Sequence, residues 1–97
     1  MNVTLPKSAK TGESIACRVE VVDSAGKVMQ GGVTPVRVQI SDATGKDAEY
    51  SGYYGVKDGA LTIRLDIARN EVPGKWRLRV QELASGKTAK KTLKILP

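Results

Sequence analysis

The sequence predicts an all-β domain built as a small antiparallel β-sandwich. In five segments, apolar residues alternate with polar ones at every second position, which is the pattern of strands with one buried face. Short glycine-containing turns separate these segments, and no stretch shows the 3.6-residue stripe of an amphipathic helix. At 97 residues, with 40% hydrophobic residues and no phenylalanine, the chain forms one domain whose core depends on valine, isoleucine and leucine.

Each alternating segment predicts one strand. In chain order the segments are ESIACRVEVVD (13–23), TPVRVQISD (34–42), GALTIRLDIA (59–68), GKWRLRVQ (74–81) and TAKKTLKIL (88–96). Their inward residues are Ile15, Cys17, Val19 and Val21, then Val36, Val38 and Ile40, then Leu61, Ile63, Leu65 and Ile67, then Trp76, Leu78 and Val80, and finally Leu93 and Ile95. The polar residues between them face outward.

Two weaker segments complete the predicted set. VTL (3–5) is short but places Val3 and Leu5 inward, and AEYSGYYGV (48–56) is broken by glycines, as an edge strand would be. The total is about seven strands, which suits a sandwich.

The turns between strands follow from local chemistry. Asp-x-x-Gly-Lys occurs at 23–27 and again at 42–46. The aspartate carboxylate accepts from backbone N–H groups two residues on, and the glycine supplies the positive φ that closes the bend. The dipeptide at 58–59 and the tripeptide at 85–87 predict two further reversals.

The single tryptophan is predicted to belong to the core. Val72-Pro73-Gly74-Lys75 suits a type II turn, with proline fixing φ and glycine taking a positive φ. Trp76 is then the first inward residue of the next strand. Cys17 lies between two inward apolar residues, so we expect a small buried side chain and not a reactive thiol.

The composition argues against catalytic, cofactor and metal sites. There is no histidine, and one cysteine cannot form an internal disulfide or a thiolate metal site. Gly86-Lys87-Thr88 is not a phosphate loop, because Gln81 stands where that motif needs a glycine. The aspartates lack the spacing of a calcium loop, although a loose calcium site between loops stays open. We therefore predict that the chain is not an enzyme.

With the strands placed, two stretches resemble a known family. GESIACRVEVVDSAGKVMQGGVTPVRVQISDATGK (12–46) resembles the opening half of bacterial immunoglobulin-like domains of the α2-macroglobulin type, and GALTIRLDIARNEVPGKWRLRVQELASGK (59–87) resembles the closing half. The resemblance, which extends to fibronectin type III-like modules, implies an immunoglobulin-like antiparallel sandwich of about seven strands in two sheets. Similar modules are non-catalytic parts of large exported proteins.

Such a sandwich brings the third, sixth and seventh predicted strands into one sheet, where their outward residues form a basic face. The candidate binding residues on it are Arg37, Arg77, Arg79, Lys90 and Lys94. With a net charge of +6 and no carboxylate among these residues, the face fits an anionic polysaccharide or an acidic partner protein. The alternative is a solvated face that resists edge-to-edge aggregation. No aromatic residue alternates with the cations, which argues against nucleic-acid recognition.

The tyrosine-rich segment also has two interpretations. Tyr50, Tyr53 and Tyr54 form a stacking platform for a sugar ring or a base, or they cover the open end of the sandwich with their hydroxyls in water.

The sequence thus predicts a single immunoglobulin-like domain, residues 1–97, taken from a larger protein. Its predicted function is that of a non-catalytic spacer module, and the alternative is a binding module that uses the basic face. The resemblance implies an extracytoplasmic location and contact with neighbouring domains. No apolar run approaches the roughly 20 residues that a membrane helix needs, so membrane insertion is not expected.

Overall fold

The structure is a computed structural model that describes residues 1–22, 26, 31–48 and 50–97. Within these residues the chain is all-β, as predicted, with eight strands and no helix. The strands are β1 (Asn2–Thr4), β2 (Ser8–Lys10), β3 (Ser14–Glu20), β4 (Val33–Ser41), β5 (Gly52–Lys57), β6 (Ala60–Asp66), β7 (Gly74–Glu82) and β8 (Thr88–Leu96). None of the described residues belongs to a helix long and apolar enough to cross a membrane.

The strands of the described chain form one curled sheet with the order β1-β3-β6-β5-β4-β7-β8-β2. Neighbouring strands run antiparallel, except that β2 runs parallel to β8. At the centre of the order, β5 and β6 are joined by a single residue pair, Lys57 with Ala60. The sheet bends at this narrow junction, β1 approaches β8, and the concave side encloses the core.

This arrangement differs from the predicted one in strand number and in continuity. The sequence predicts about seven strands, whereas β2 adds an eighth. That strand has only three residues and one apolar side chain, Ala9, which is too little for a period of two to be visible. The strands also belong to one continuous sheet instead of two separate sheets, because the hairpin at 58–59 links β5 directly to β6.

The core follows the predicted alternation closely. Every buried residue of the described chain is apolar, and most sit at the inward positions of the five alternating segments. The buried hydrophobic side chains are Val3, Ala9, Cys17, Val19, Val21, Val36, Val38, Ile40, Val56, Ile63, Leu65, Ile67, Trp76, Leu78, Val80, Leu93 and Ile95. Burial of these side chains in place of exposure provides the main favourable term in folding.

Three of the predicted turns are present. One carboxylate oxygen of Asp42 accepts from the backbone N–H groups of Thr44 (2.9 Å) and Lys46 (3.0 Å). Asp58 and Gly59 both have positive φ (52° and 78°), as a two-residue hairpin requires. The N–H of Gly86 donates to the carbonyl of Glu82 at 2.8 Å. The other Asp-x-x-Gly-Lys turn, at 23–27, lies largely outside the described residues.

The segment before Trp76 does not form the predicted type II turn. Gly74 has φ of 144°, well beyond the value near +80° that this turn needs, and it opens β7. A β-carbon at Gly74 would lie 2.8 Å from the β-carbon of Ala43. The glycine is therefore required by the close approach of the 42–46 turn to the start of β7.

The prediction for Trp76 is confirmed, since the side chain is only 4% exposed. Its indole N–H has no hydrogen-bond partner in the described structure, so the ring contributes through apolar packing.

We expect Trp76→Ala to lower the free energy of unfolding by about 3–5 kcal/mol, as a large-to-small core change. Chemical denaturation followed by circular dichroism measures this. Val72→Ala is the control, because Val72 is 53% exposed and should change stability by less than about 0.5 kcal/mol. A Trp76→Ala variant as stable as this control would contradict the core assignment.

Candidate anion-binding face

The register of three adjacent strands places the predicted cations on one surface. Gln39 of β4, Arg79 of β7 and Lys90 of β8 lie in one row across the sheet. The next row contains Ser41, Arg77 and Thr92. Because side chains alternate along each strand, all six point away from the core residues Leu78 and Val80. Together with Leu78 and Lys91 they line an open groove of about 490 Å³.

The remaining candidate residues flank this groove. Arg37 lies one row beyond Arg79, and Lys94 lies beyond Thr92, opposite Lys75. The basic face is here defined as Arg37, Lys75, Arg77, Arg79, Lys90 and Lys94, all of them exposed. The structure thus places all five predicted cations on one side of the sheet but brings only Arg77, Arg79 and Lys90 together in the groove.

Sequence reasoning missed one member, Lys75. The sequence predicts Lys75 in the turn before β7, whereas in the structure β7 begins at Gly74 and Lys75 continues the outward series of Arg77 and Arg79. Extending the period-two pattern one step toward the N-terminus from Trp76 is the signal that identifies it.

Two contacts orient arginines on this face. The Nη1 group of Arg79 donates to Oε1 of Gln39 at 3.4 Å. The guanidinium of Arg37 lies 5.9 Å from the ring centroid of Tyr53, a cation–π distance. Neither contact neutralises the arginine's charge.

The basic face carries no compensating carboxylate. The strands β4, β7 and β8 are described throughout, and none of their outward residues is an aspartate or a glutamate. The two ion pairs of the described chain lie on β3 and β6, which form the other wing of the sheet together with β1. They join Arg18 to Glu20 (3.2 Å) and Arg64 to Asp66 (3.1 Å). The cations of the basic face are therefore not compensated by carboxylates on the same strands.

The tyrosines do not form a joint platform. Tyr53 is 72% exposed and faces Arg37, whereas Tyr54 and Tyr50 are partly buried. The hydroxyl of Tyr54 donates to the carbonyl of Tyr50 at 2.6 Å, and the hydroxyl of Tyr50 accepts the backbone N–H of Asp66 at 2.9 Å. Both hydroxyls thus bond to backbone, which favours a structural role for two of the three rings.

Hydrogen bonding and burial shift the pKa values of two carboxylates and of the thiol. Hydrogen bonding from Thr44 lowers the pKa of Asp42, and hydrogen bonding from Ser14, followed by that from Arg64, lowers the pKa of Asp66. Burial raises the pKa of the Cys17 thiol from 9.0 to about 11, which keeps it protonated at neutral pH. Among the described residues, no three histidine, cysteine or acidic side chains cluster as metal ligands. Asp23, one aspartate considered for calcium, lies outside them.

A second cavity has a volume of about 210 Å³. Its lining includes the carboxylates of Asp42, Asp66 and Glu71, the ring of Tyr50 and part of Trp76.

Comparison with known proteins relates the fold to proteins other than the predicted family. No protein-family model matches the sequence, and no curated protein matches it either. Among solved structures, the chain is similar to a superoxide reductase (neelaredoxin) from Ignicoccus hospitalis, with 12% identity and a TM-score of 0.67 over 98% of this chain and 79% of the other. It is also similar to a protein described as a superoxide reductase from Thermotoga maritima, with 11% identity and a TM-score of 0.67 over 99% and 85%.

A third similar structure is the sulfur carrier protein SoxY from Chlorobium limicola f thiosulfatophilum. It shares 16% identity and a TM-score of 0.52, over 99% of this chain and 78% of the other. At these identities the likeness shows a common fold.

These findings correct three predictions. The resemblance to macroglobulin-type immunoglobulin-like domains is wrong, since the similar structures are superoxide reductases and a sulfur carrier. Turn motifs and alternation misled here because they are common to many all-β folds. The role of a non-catalytic spacer or accessory module rested on that resemblance and is wrong with it. The expectation that the chain is not an enzyme is also contradicted, because two of the similar structures are described as reductases.

Proposed function

We propose that the basic face is a binding surface for an anionic partner. The observation that carries this proposal is the meeting of Arg77, Arg79 and Lys90 around one open groove, on strands that present no outward carboxylate. The expected ligand group is a carboxylate, sulfate or phosphate. Arginine suits such groups because its planar guanidinium forms two parallel hydrogen bonds to them.

The groove supplies neutral hydrogen-bonding groups beside the charges. Gln39, Ser41 and Thr92 line it together with the cations, so a bound anion exchanges its water contacts for amide and hydroxyl contacts as well as ionic ones. Its openness favours a group carried on a larger molecule, such as an anionic polysaccharide or an acidic protein. The net charge of +6 would speed the encounter with either.

We also propose that the chain contacts neighbouring domains of a parent protein and lies outside the cytoplasm. The parent reading frame tests the first of these expectations, and fractionation of cells tests the second.

We also infer that the curled sheet packs as two layers, in the immunoglobulin-like manner. The single β5–β6 pair supports this, because it leaves β1-β3-β6 and β5-β4-β7-β8-β2 as two wings around one core.

A second candidate function is reduction of superoxide, and the observation that favours it is the fold likeness over 98–99% of the chain. The basic face would attract superoxide, which is an anion. The residues themselves indicate no centre for electron transfer, since the sequence has no histidine and Cys17 is buried. Anion binding therefore stands first.

The superoxide proposal predicts that the purified protein, supplied with an electron donor, removes superoxide faster than the donor alone. Each turnover takes one electron from the donor and two protons from solvent to form hydrogen peroxide. The readouts are superoxide loss and peroxide formation. Equal rates with and without the protein would contradict the proposal.

The anion-binding proposal predicts that the double variant Arg77→Ser/Arg79→Ser binds an immobilised sulfated polysaccharide at least about threefold more weakly, because it loses two exposed ionic contacts. Elution in a salt gradient measures this. Arg18→Ser/Arg64→Ser is the matched control, since it removes the same charge from the opposite wing. If both double variants elute earlier by the same amount, net charge alone governs binding and the proposed face is wrong.

A further inference from the structure

The cations of the basic face are arranged as a ladder with a regular step. Lys75, Arg77 and Arg79 occupy successive outward positions of β7. Two residues of an antiparallel strand span about 6.8 Å, so these three positions repeat at that interval. The α-carbons of the ladder therefore recur at the strand's own spacing.

A second line of side chains runs beside the first. Lys90, Thr92 and Lys94 of β8 lie opposite Arg79, Arg77 and Lys75 respectively. Directly opposed residues of antiparallel strands have α-carbons about 5 Å apart, so each rung offers one or two cations to the same anionic group. The rungs are Arg79 with Lys90, Arg77 with Thr92, and Lys75 with Lys94.

We infer that this ladder recognises an extended acidic segment of a partner protein, with carboxylates at every second residue. Such a segment presents alternate side chains on one side at the same step of about 6.8 Å, so three carboxylates meet three rungs in register. The inference rests on the proposed function and adds the spacing and conformation of the ligand. Charge complementarity supports it, because β7 and β8 carry no outward carboxylate to repel such a segment.

Two peptides of identical composition test the inference. One alternates aspartate with threonine, so that three aspartates fall at positions i, i+2 and i+4. The other places the same three aspartates consecutively, so that in an extended form the middle carboxylate points away. Binding is measured by calorimetry at low salt. We expect the alternating peptide to bind about two- to fivefold more tightly, which is the range of one exposed ion pair.

Variants of the outer rung sharpen the comparison. Lys75→Ser/Lys94→Ser should remove the preference for the alternating peptide and leave both peptides bound through Arg77, Arg79 and Lys90. Arg18→Ser, on the opposite wing, should preserve the preference. A preference that survives loss of the outer rung would contradict the ladder.

The outcomes separate this inference from the proposed function. Equal affinity for the two peptides overturns the ladder and leaves anion binding intact. Binding of a sulfated polysaccharide with neither peptide bound also overturns it, and assigns the face to a polysaccharide. Failure of both peptides and the polysaccharide to bind overturns the proposed function itself.

Discussion

The alternation of β7 between two environments is the constraint on which the rest of the structure depends. Trp76, Leu78 and Val80 point into the core, and the residues between them point to solvent. A shift of one residue in the register with β4 or β8 would bury arginines and expose the tryptophan. Burial of a charged group without a partner is far more costly than loss of a few apolar contacts. The core therefore fixes the position of every cation on β7.

That coupling explains how cations without neighbouring carboxylates are held close together on the basic face. The cations lie on strands whose opposite faces are among the most buried parts of the protein, including Val36, Val38 and Val80 at 0% exposure. The repulsion between exposed, hydrated cations is weak in water, and core packing overcomes it. On the other wing, Arg18 and Arg64 are paired with carboxylates. The cations of β4, β7 and β8, by contrast, have no carboxylate beside them on the basic face.

The sequence was sufficient for features governed by local periodicity and turn chemistry. The main strands, the burial of Trp76 and Cys17, and the outward placement of Arg77 and Arg79 follow from a period of two, and the structure has them all. Features that depend on long-range pairing were not readable. The parallel pairing of β2 with β8 has no local signature, and the sequence predicts the 58–59 turn but not that only one residue pair joins β5 to β6. The family resemblance failed for the same reason, because shared turns and alternation do not specify how strands connect.

The similarity to superoxide reductases and to a sulfur carrier shows that this small all-β frame is not limited to spacer modules. In this chain the exposed residues of β4, β7 and β8 are the features that most strongly indicate a function, namely anion binding. The most direct test of ligand binding at the basic face is a map of the changes in backbone amide chemical shifts during titration with the alternating aspartate peptide. We predict that the largest changes fall on the ladder residues Lys75, Arg77, Arg79, Lys90 and Lys94. Largest changes on β3 and β6, around Arg18 and Arg64, would contradict the account.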